Sequence, residues 1–392
     1  MNYQIVLKNP GASVYAPLWI GTRLSILEGQ SPYSEETLAA SQSLMRREGL
    51  DVGETDPGWF LYPFFSILLF TPTALIPDFN LASAVWMTLL AGSLVAIAFT
   101  SLELTRWRPS RIVLGAYLLF FIGGYYAIRP VYLGNPSVLA ALFIVLAFLL
   151  IQRERDIAAG ILLGLATLKP QVVILLWCFV LLWGVSRRRL ALVSSLILTP
   201  LGLAVISSRI QPGWLKANLT LMAKYIMQSG PYNFGGIFEI WWGDNGDSIA
   251  WIFTLGLSIL LITEWWRALG KDLRWFLWTS GLTLVITNMI GFPTATSNHI
   301  VLIPILTLVI SILDQRSVGF GRYFIIFVML AVFGGMWGLY VKTAEGGPGL
   351  QQDPIMLVPL PVLLFFMLYW IKYWALNSLR LPVEKLEALK NL

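Results

Sequence analysis

Charge is scarce in this chain. Asp, Glu, Lys and Arg together make up only 12% of its 392 residues, about half of the roughly 25% found in a soluble domain. With 57% hydrophobic residues, that shortage excludes both an ordinary water-soluble globule and a disordered chain. Cysteine is nearly absent. Cys178 stands alone inside an apolar run, so no intrachain disulfide or cysteine-based metal site can form, and it reads as a small buried apolar residue. His299 is the single histidine, which excludes a multi-histidine metal centre. There is no P-loop, no HExxH and no GxSxG with a triad histidine. The N-terminus "MNYQIVLKNPGAS" lacks the apolar stretch of a cleaved signal peptide. No metal and no cofactor is expected. The net charge of +6 does not imply nucleic acid, because in a membrane protein the excess Lys and Arg sits in cytoplasmic loops beside membrane lipids.

What the chain does have is apolar runs of membrane-crossing length. A spanning helix needs about 20 mostly apolar residues. About eleven candidates lie at 60–77, 81–103, 112–128, 136–151, 157–168, 170–185, 190–207, 248–266, 276–292, 299–313 and 323–341, and a twelfth covers 355–374; two of them, 157–168 and 170–185, are short and are either spans or the halves of a broken hairpin. Seventeen Trp and fourteen Tyr suit a protein with broad membrane–water interfaces. The expected fold class is an all-α polytopic membrane protein with about 11–12 transmembrane segments. Its expected location is a bacterial plasma membrane, crossed many times. Basic clusters at 105–111, 152–156, 186–189, 267–274, 314–322 and the C-terminal end alternate with pairs of apolar segments, which puts them on the cytoplasmic side. Three regions follow: an external loop region at 1–59, a transmembrane helical domain at 60–374 with a second long external loop at 208–247, and an amphipathic cytoplasmic tail at 375–392. Segment 60–77 carries Pro63, Pro72 and Pro77. Prolines break helices, so the segment either spans, which puts residues 1–59 in the cytoplasm, or is re-entrant, which leaves them outside; the re-entrant course is preferred.

The candidate site residues lie on the external side. Lys169 interrupts "GLATLKPQVVILLW", and a lysine among apolar residues needs water, a counter-charge or an anionic ligand. Pro170 follows it and favours a helix break facing a cavity. A cavity-facing ammonium suits a phosphate. Arg129, in "YYAIRPVYLGNP", is the second such cation and would complete a two-cation phosphate clamp with Lys169. Asn135 is a polar hook in the same turn, or a cap for the following helix. His299 opens a late apolar run and could donate to a sugar hydroxyl or a phosphate. Among the external acids, Asp56 precedes "PGWFLYP" at the membrane surface and is the best-placed general base, with Glu239, Asp244 and Asp247 as competitors. Asn218-Leu219-Thr220 matches a glycosylation sequon by pattern alone.

The stretches "NPGASVYAPLWIGTRLSILEGQSPYS", "FLYPFFSILLFTPTALIPDFNLASAVWM", "RPVYLGNPSVLAALFIVLAFLL", "GLATLKPQVVILL" and "SNHIVLIPIL", in this order and spacing, resemble glycosyltransferase family 87. The resemblance covers most of residues 9–310. It implies a GT-C-like fold and a hexosyltransferase, mannosyltransferase-like, that uses a polyprenyl-phosphate sugar. It also implies a lipid or glycan acceptor, an active site on the external face and no cofactor. Position by position, Lys169 matches the lysine of the family's LKP run, and Asn135 falls at its Gly-Asn pair. His299 matches a late histidine, and Asn233 in "GPYNFGG" an asparagine ahead of a helix. Tyr62 starts the matching Tyr-Pro segment. One position departs: the family carries an Asp in its first loop where this chain has Val14. Many helices and a buried cation also fit a lipid or sugar transporter or flippase, and the Val14 departure leaves room for an inactive relative. Two long external loops favour the enzyme.

Overall fold

The computed structural model describes residues 2–4, 11–50, 57–228, 234–290, 295–316, 320–343 and 353–377. Among them there is no strand. The helices are α1 (Tyr15–Leu27) and α2 (Glu35–Arg47) in the first loop region, then α3 (Ile67–Ala74), α4 (Phe79–Thr105), α5 (Arg111–Gly123), α6 (Tyr125–Tyr132), α7 (Ser137–Gln152), α8 (Asp156–Leu165) and α9 (Pro170–Ser186). After these come α10 (Leu190–Ile210), α11 (Trp214–Gln228), α12 (Phe234–Trp242), α13 (Gly246–Ala268), α14 (Leu273–Ile290), α15 (Ile303–Arg316), α16 (Phe320–Thr343) and α17 (Pro359–Leu376). Among the described residues, seven helical stretches are long and apolar enough to cross a membrane, and four apolar ones are shorter, Phe64–Ala74 ahead of the seven and the other three between the second and third of them. The protein is an all-α polytopic membrane protein.

The departures from an even row of spans have local causes. Segment 60–77 forms a 3-10 turn at Phe64–Ser66 and the short α3. At about 1.5 Å per residue, the Phe64–Ala74 helix reaches only about 16 Å, too little for a hydrocarbon core of about 30 Å. The expected segment at 112–128 breaks at Gly124, whose extended backbone (φ −68°, ψ 152°) separates α5 from α6. Segments 157–168 and 170–185 are two helices joined at Lys169.

The basic turns gather at one end of the bundle. Arg153 pairs with Glu103 at the end of α4. Arg189 pairs with Asp156 and donates to the Ile151 carbonyl at 3.0 Å, tying the α9–α10 turn to the α7–α8 turn. Arg187 reaches the Gly270 carbonyl in the α13–α14 turn at 3.1 Å. Trp107 Nε1 donates to Asp314 near the end of α15 at 2.9 Å. Lys372 of α17 bonds both carboxylate oxygens of the buried Glu264 of α13 at 2.7 Å and lies 4.5 Å from the Trp278 ring centre. Between these turns, α8 packs on α10 through Gly160 and Gly164. A β-carbon at Gly164 would stand 2.6 Å from Thr199 Cβ. The small-xxx-small spacing lets two helices approach where lipid offers no hydrophobic drive for association.

Candidate active site

The described candidate side chains Tyr62, Asn135 and Lys169 gather at the opposite end of the bundle. The turn before α7 starts the arrangement. Gly134 has φ +67°, a region open to glycine, and a β-carbon there would lie 2.6 Å from Tyr15 Cβ. The close approach brings α1 against the turn, and Trp86 Nε1 holds the Gly134 carbonyl at 2.9 Å. Ala12 and Val14 donate backbone bonds to the carbonyls of Tyr132 and Leu133 at 2.8 and 3.2 Å. The first loop is thereby fastened to the turn that presents Asn135.

Lys169 owes its place to Pro170. A residue before proline is pushed out of the helical region, and Lys169 has φ −128°, ψ 75°. Pro170 then opens α9, where its missing N–H costs nothing. The side chain is only 5% exposed. Its ammonium donates to Asn135 Oδ1 and Ser137 Oγ, each at 2.7 Å, and stands 5.8 Å from the centre of the Tyr62 ring. Asn135 Nδ2 donates to Ser297 Oγ at 2.8 Å, and Ser137 Oγ lies 2.8 Å from Asn298 Oδ1. Two remote segments, 135–137 and 297–298, thus close one polar network around the lysine. Of the three ammonium protons, two have partners among the described residues, and no carboxylate there pairs with the charge.

A cavity of ≈ 150 Å³ adjoins this network. Lys169, Asn135, Ser297 and Asn298 form its polar wall; Val14, Trp59, Tyr62 and Tyr225 are on the apolar and aromatic side. The described lining contains no carboxylate. Helix α11 covers one side. Its buried face presents Trp214, Asn218 and Leu221, and Asn218 donates to the Tyr62 carbonyl at 3.2 Å. That amide is buried, so the sequon pattern at Asn218 marks no glycan site. The Tyr33 hydroxyl donates to the same carbonyl at 2.8 Å. Burial pushes the Tyr33 phenol well up, so it stays a neutral donor.

Lys169, Asn135 and Tyr62 therefore meet in one place. Arg129 is not part of the cavity wall: its guanidinium donates to the Tyr340 hydroxyl at 3.2 Å and lies over that ring at 5.5 Å. His299 shares a 3-10 helix, Thr296–Leu302, with Ser297 and Asn298. Its ring is fully buried 5.3 Å from the Tyr126 ring, and neither nitrogen has a hydrogen-bond partner among the described residues. Asp56 and Asn233 lie outside the described residues. Of the other first-loop acids, Glu36 sits in the first turn of α2, where its own backbone N–H and the Ser34 hydroxyl hold its carboxyl below the usual range. Glu48 accepts from Asn80 at 3.1 Å.

Sequence reasoning missed Ser137, Ser297, Asn298 and Tyr225. Ser137 had a signal, since it follows Asn135-Pro136 at a helix start, where short polar side chains bond the backbone. The other three had none short of the tertiary fold.

No curated protein and no solved structure matches the chain. The model of glycosyltransferase family 87 matches residues 60–290, more than half of the chain and the part that carries Tyr62, Asn135 and Lys169. The chain belongs to glycosyltransferase family 87, a family of membrane glycosyltransferases.

Proposed function

We propose that the protein transfers a hexose, mannose-like, from a polyprenyl-phosphate donor to a hydroxyl of a lipid or glycan acceptor, on the external face of the membrane. One observation carries this reading: the buried ammonium of Lys169, with no acid beside it among the described residues, on the wall of a cavity. A charge so placed is stable only with an anion or water in the cavity. A donor lipid brings one phosphate to this depth.

In the reaction, the acceptor oxygen bonds to the anomeric carbon and the bond from that carbon to the phosphate oxygen breaks. The electron pair of that bond stays on the phosphate, and the hydroxyl proton passes to a base. Lys169 stabilises the charge growing on the phosphate. Asn135 and Ser137 hold the ammonium in direction. Asn298, Ser297 and Tyr62 supply polar and aromatic contacts for the sugar. Arg129 and His299 act from the periphery, Arg129 on donor phosphate arriving past Tyr340, His299 on substrate through movement of the Tyr126 ring. Asn233 contacts the acceptor. Asp56 is the base in this reading; Trp59, three residues on, lines the cavity. Val14 occupies the wall where the family's acid is expected and cannot take a proton.

The test is transfer in proteoliposomes loaded with radiolabelled polyprenyl-phosphate-mannose and mixed membrane lipids. Wild type is expected to label an acceptor. Lys169→Ala is expected to lose both donor binding and transfer, and Asp56→Asn to lose transfer while still binding donor. Movement of labelled lipid across the bilayer with no transfer would replace this reading with a flippase, which the carboxylate-free described lining favours.

A further inference from the structure

A second cavity lies at the basic end, far from Lys169. It is a groove of ≈ 640 Å³ between α15, α16 and α17. Its walls are almost wholly apolar, with Ile310 and Leu313 on one side, Val328 and Met329 on another, and Leu363 and Met367 on the third. Helix α16 leaves it open. Only 17% of the α16 span is buried by the rest of the protein, and the rim residues Phe324 and Trp370 are 53% and 59% exposed. The groove therefore opens sideways, toward lipid.

Arg316, at the end of α15, is the one charged residue of the described lining. The guanidinium lies 5.9 Å from the centre of the Trp374 ring. Its Nε is buried with no hydrogen-bond partner among the described residues. No carboxylate pairs with it among the described residues, and Asp314, the neighbouring acid on α15, accepts instead from Trp107. A guanidinium presents a flat fork of donors that matches a phosphate. Tryptophans beside it are placed as at a headgroup boundary. An apolar channel with one cation at its headgroup end has the shape and charge of an anionic lipid's binding site.

We propose that this groove binds an anionic glycerophospholipid of the basic-side leaflet, its phosphate on Arg316 and an acyl chain between α16 and α17. The lipid completes the packing that α16 lacks. The site is separate from the Lys169 cavity: α15 runs from the polar network to Arg316, ~20 Å at the rise of a helix. The proposal does not rest on the transfer reaction.

Native mass spectrometry of the full chain, stripped of lipid and titrated with dioleoylphosphatidylglycerol, tests it. One phosphatidylglycerol is expected to stay bound under activation that removes dioleoylphosphatidylcholine. Arg316→Gln is expected to weaken its retention about tenfold, the scale of one charge-assisted contact. Val328→Trp keeps the arginine and fills the groove, and is expected to do the same. Arg111→Gln, an exposed cation at the same end, is expected to change nothing. Gel filtration checks that each variant is folded, and either groove variant alone decides the matter. Equal retention of both phospholipids would overturn the proposal. So would wild-type retention in Val328→Trp, or displacement of phosphatidylglycerol by equimolar polyprenyl phosphate, which would assign the groove to the donor.

Discussion

The ammonium of Lys169 sits 2.7 Å from Asn135 Oδ1, and that oxygen is a neutral acceptor. Burial of a cation against an amide rather than a carboxylate leaves most of its desolvation uncompensated. A protein that needed only to satisfy this lysine would place an Asp or Glu there. An amide orients the charge without neutralising it, and the field stays available to an anion in the cavity.

Lys169→Met should therefore separate stability from function. The methionine keeps the apolar stem and removes the isolated charge. Thermal denaturation in detergent is expected to show equal or higher stability, by about 1 kcal/mol, while donor binding falls at least a hundredfold. A large loss of stability would mean the ammonium is a structural strut, and the phosphate role would fail.

The network around the lysine gives a graded series. Ser137→Ala removes one of the two acceptors of the ammonium and its link to Asn298. Loss of such a bond costs about 1–2 kcal/mol, so transfer is expected to fall about tenfold. Asn135→Asp should act in the opposite sense on stability. It supplies the missing counter-charge, steadies the fold, and cuts donor affinity by competing with the phosphate for Lys169. Binding of labelled donor, measured beside melting temperature, checks both.

Much of this was legible in one dimension. Long apolar runs announce spanning helices, and Lys169-Pro170 announces a helix break, because both effects are local. The charge alternation also anticipated that the turns at 105–111, 152–156, 186–189 and 267–274 share an end. The polar network was not legible. Ser297 and Asn298 meet Asn135 and Ser137 across about 160 residues of chain, and nothing local sets that register. Arg129 illustrates the same limit. Its position on the chain, six residues before Asn135, suggested a partnership with Lys169, yet the α6 helix turns it to Tyr340 of α16. His299 is adjacent to Asn298 in sequence, but its ring lies buried against Tyr126 and is not among the cavity's lining residues.

Gly134→Ala tests whether the turn positions the site. The new methyl would be forced into Tyr15 at 2.6 Å with φ at +67°. Strain at such a position costs of order 1–3 kcal/mol. Lower melting temperature together with lower transfer is expected. Gly270→Ala, also at positive φ (+71°) but with open space around it and far from the site, should lower stability while donor affinity is unchanged.

The basic end offers a test of how charge is held inside the bundle. Glu264 is 3% exposed, receives both bonds of Lys372 and a third from Arg267 at 3.1 Å. Lys372→Met leaves that carboxylate largely unpaired, and breaking a buried pair this way costs roughly 3–5 kcal/mol. The remaining Arg267 contact places the expected loss at the lower end, about 3 kcal/mol. Adding Glu264→Gln should recover most of it, since the double variant buries no lone charge. Reversible unfolding in mixed micelles measures the cycle. Additive losses in the double variant would mean the two residues act independently, and that the α13–α17 contact is held by packing around Trp278 and Tyr369 rather than by the ion pair.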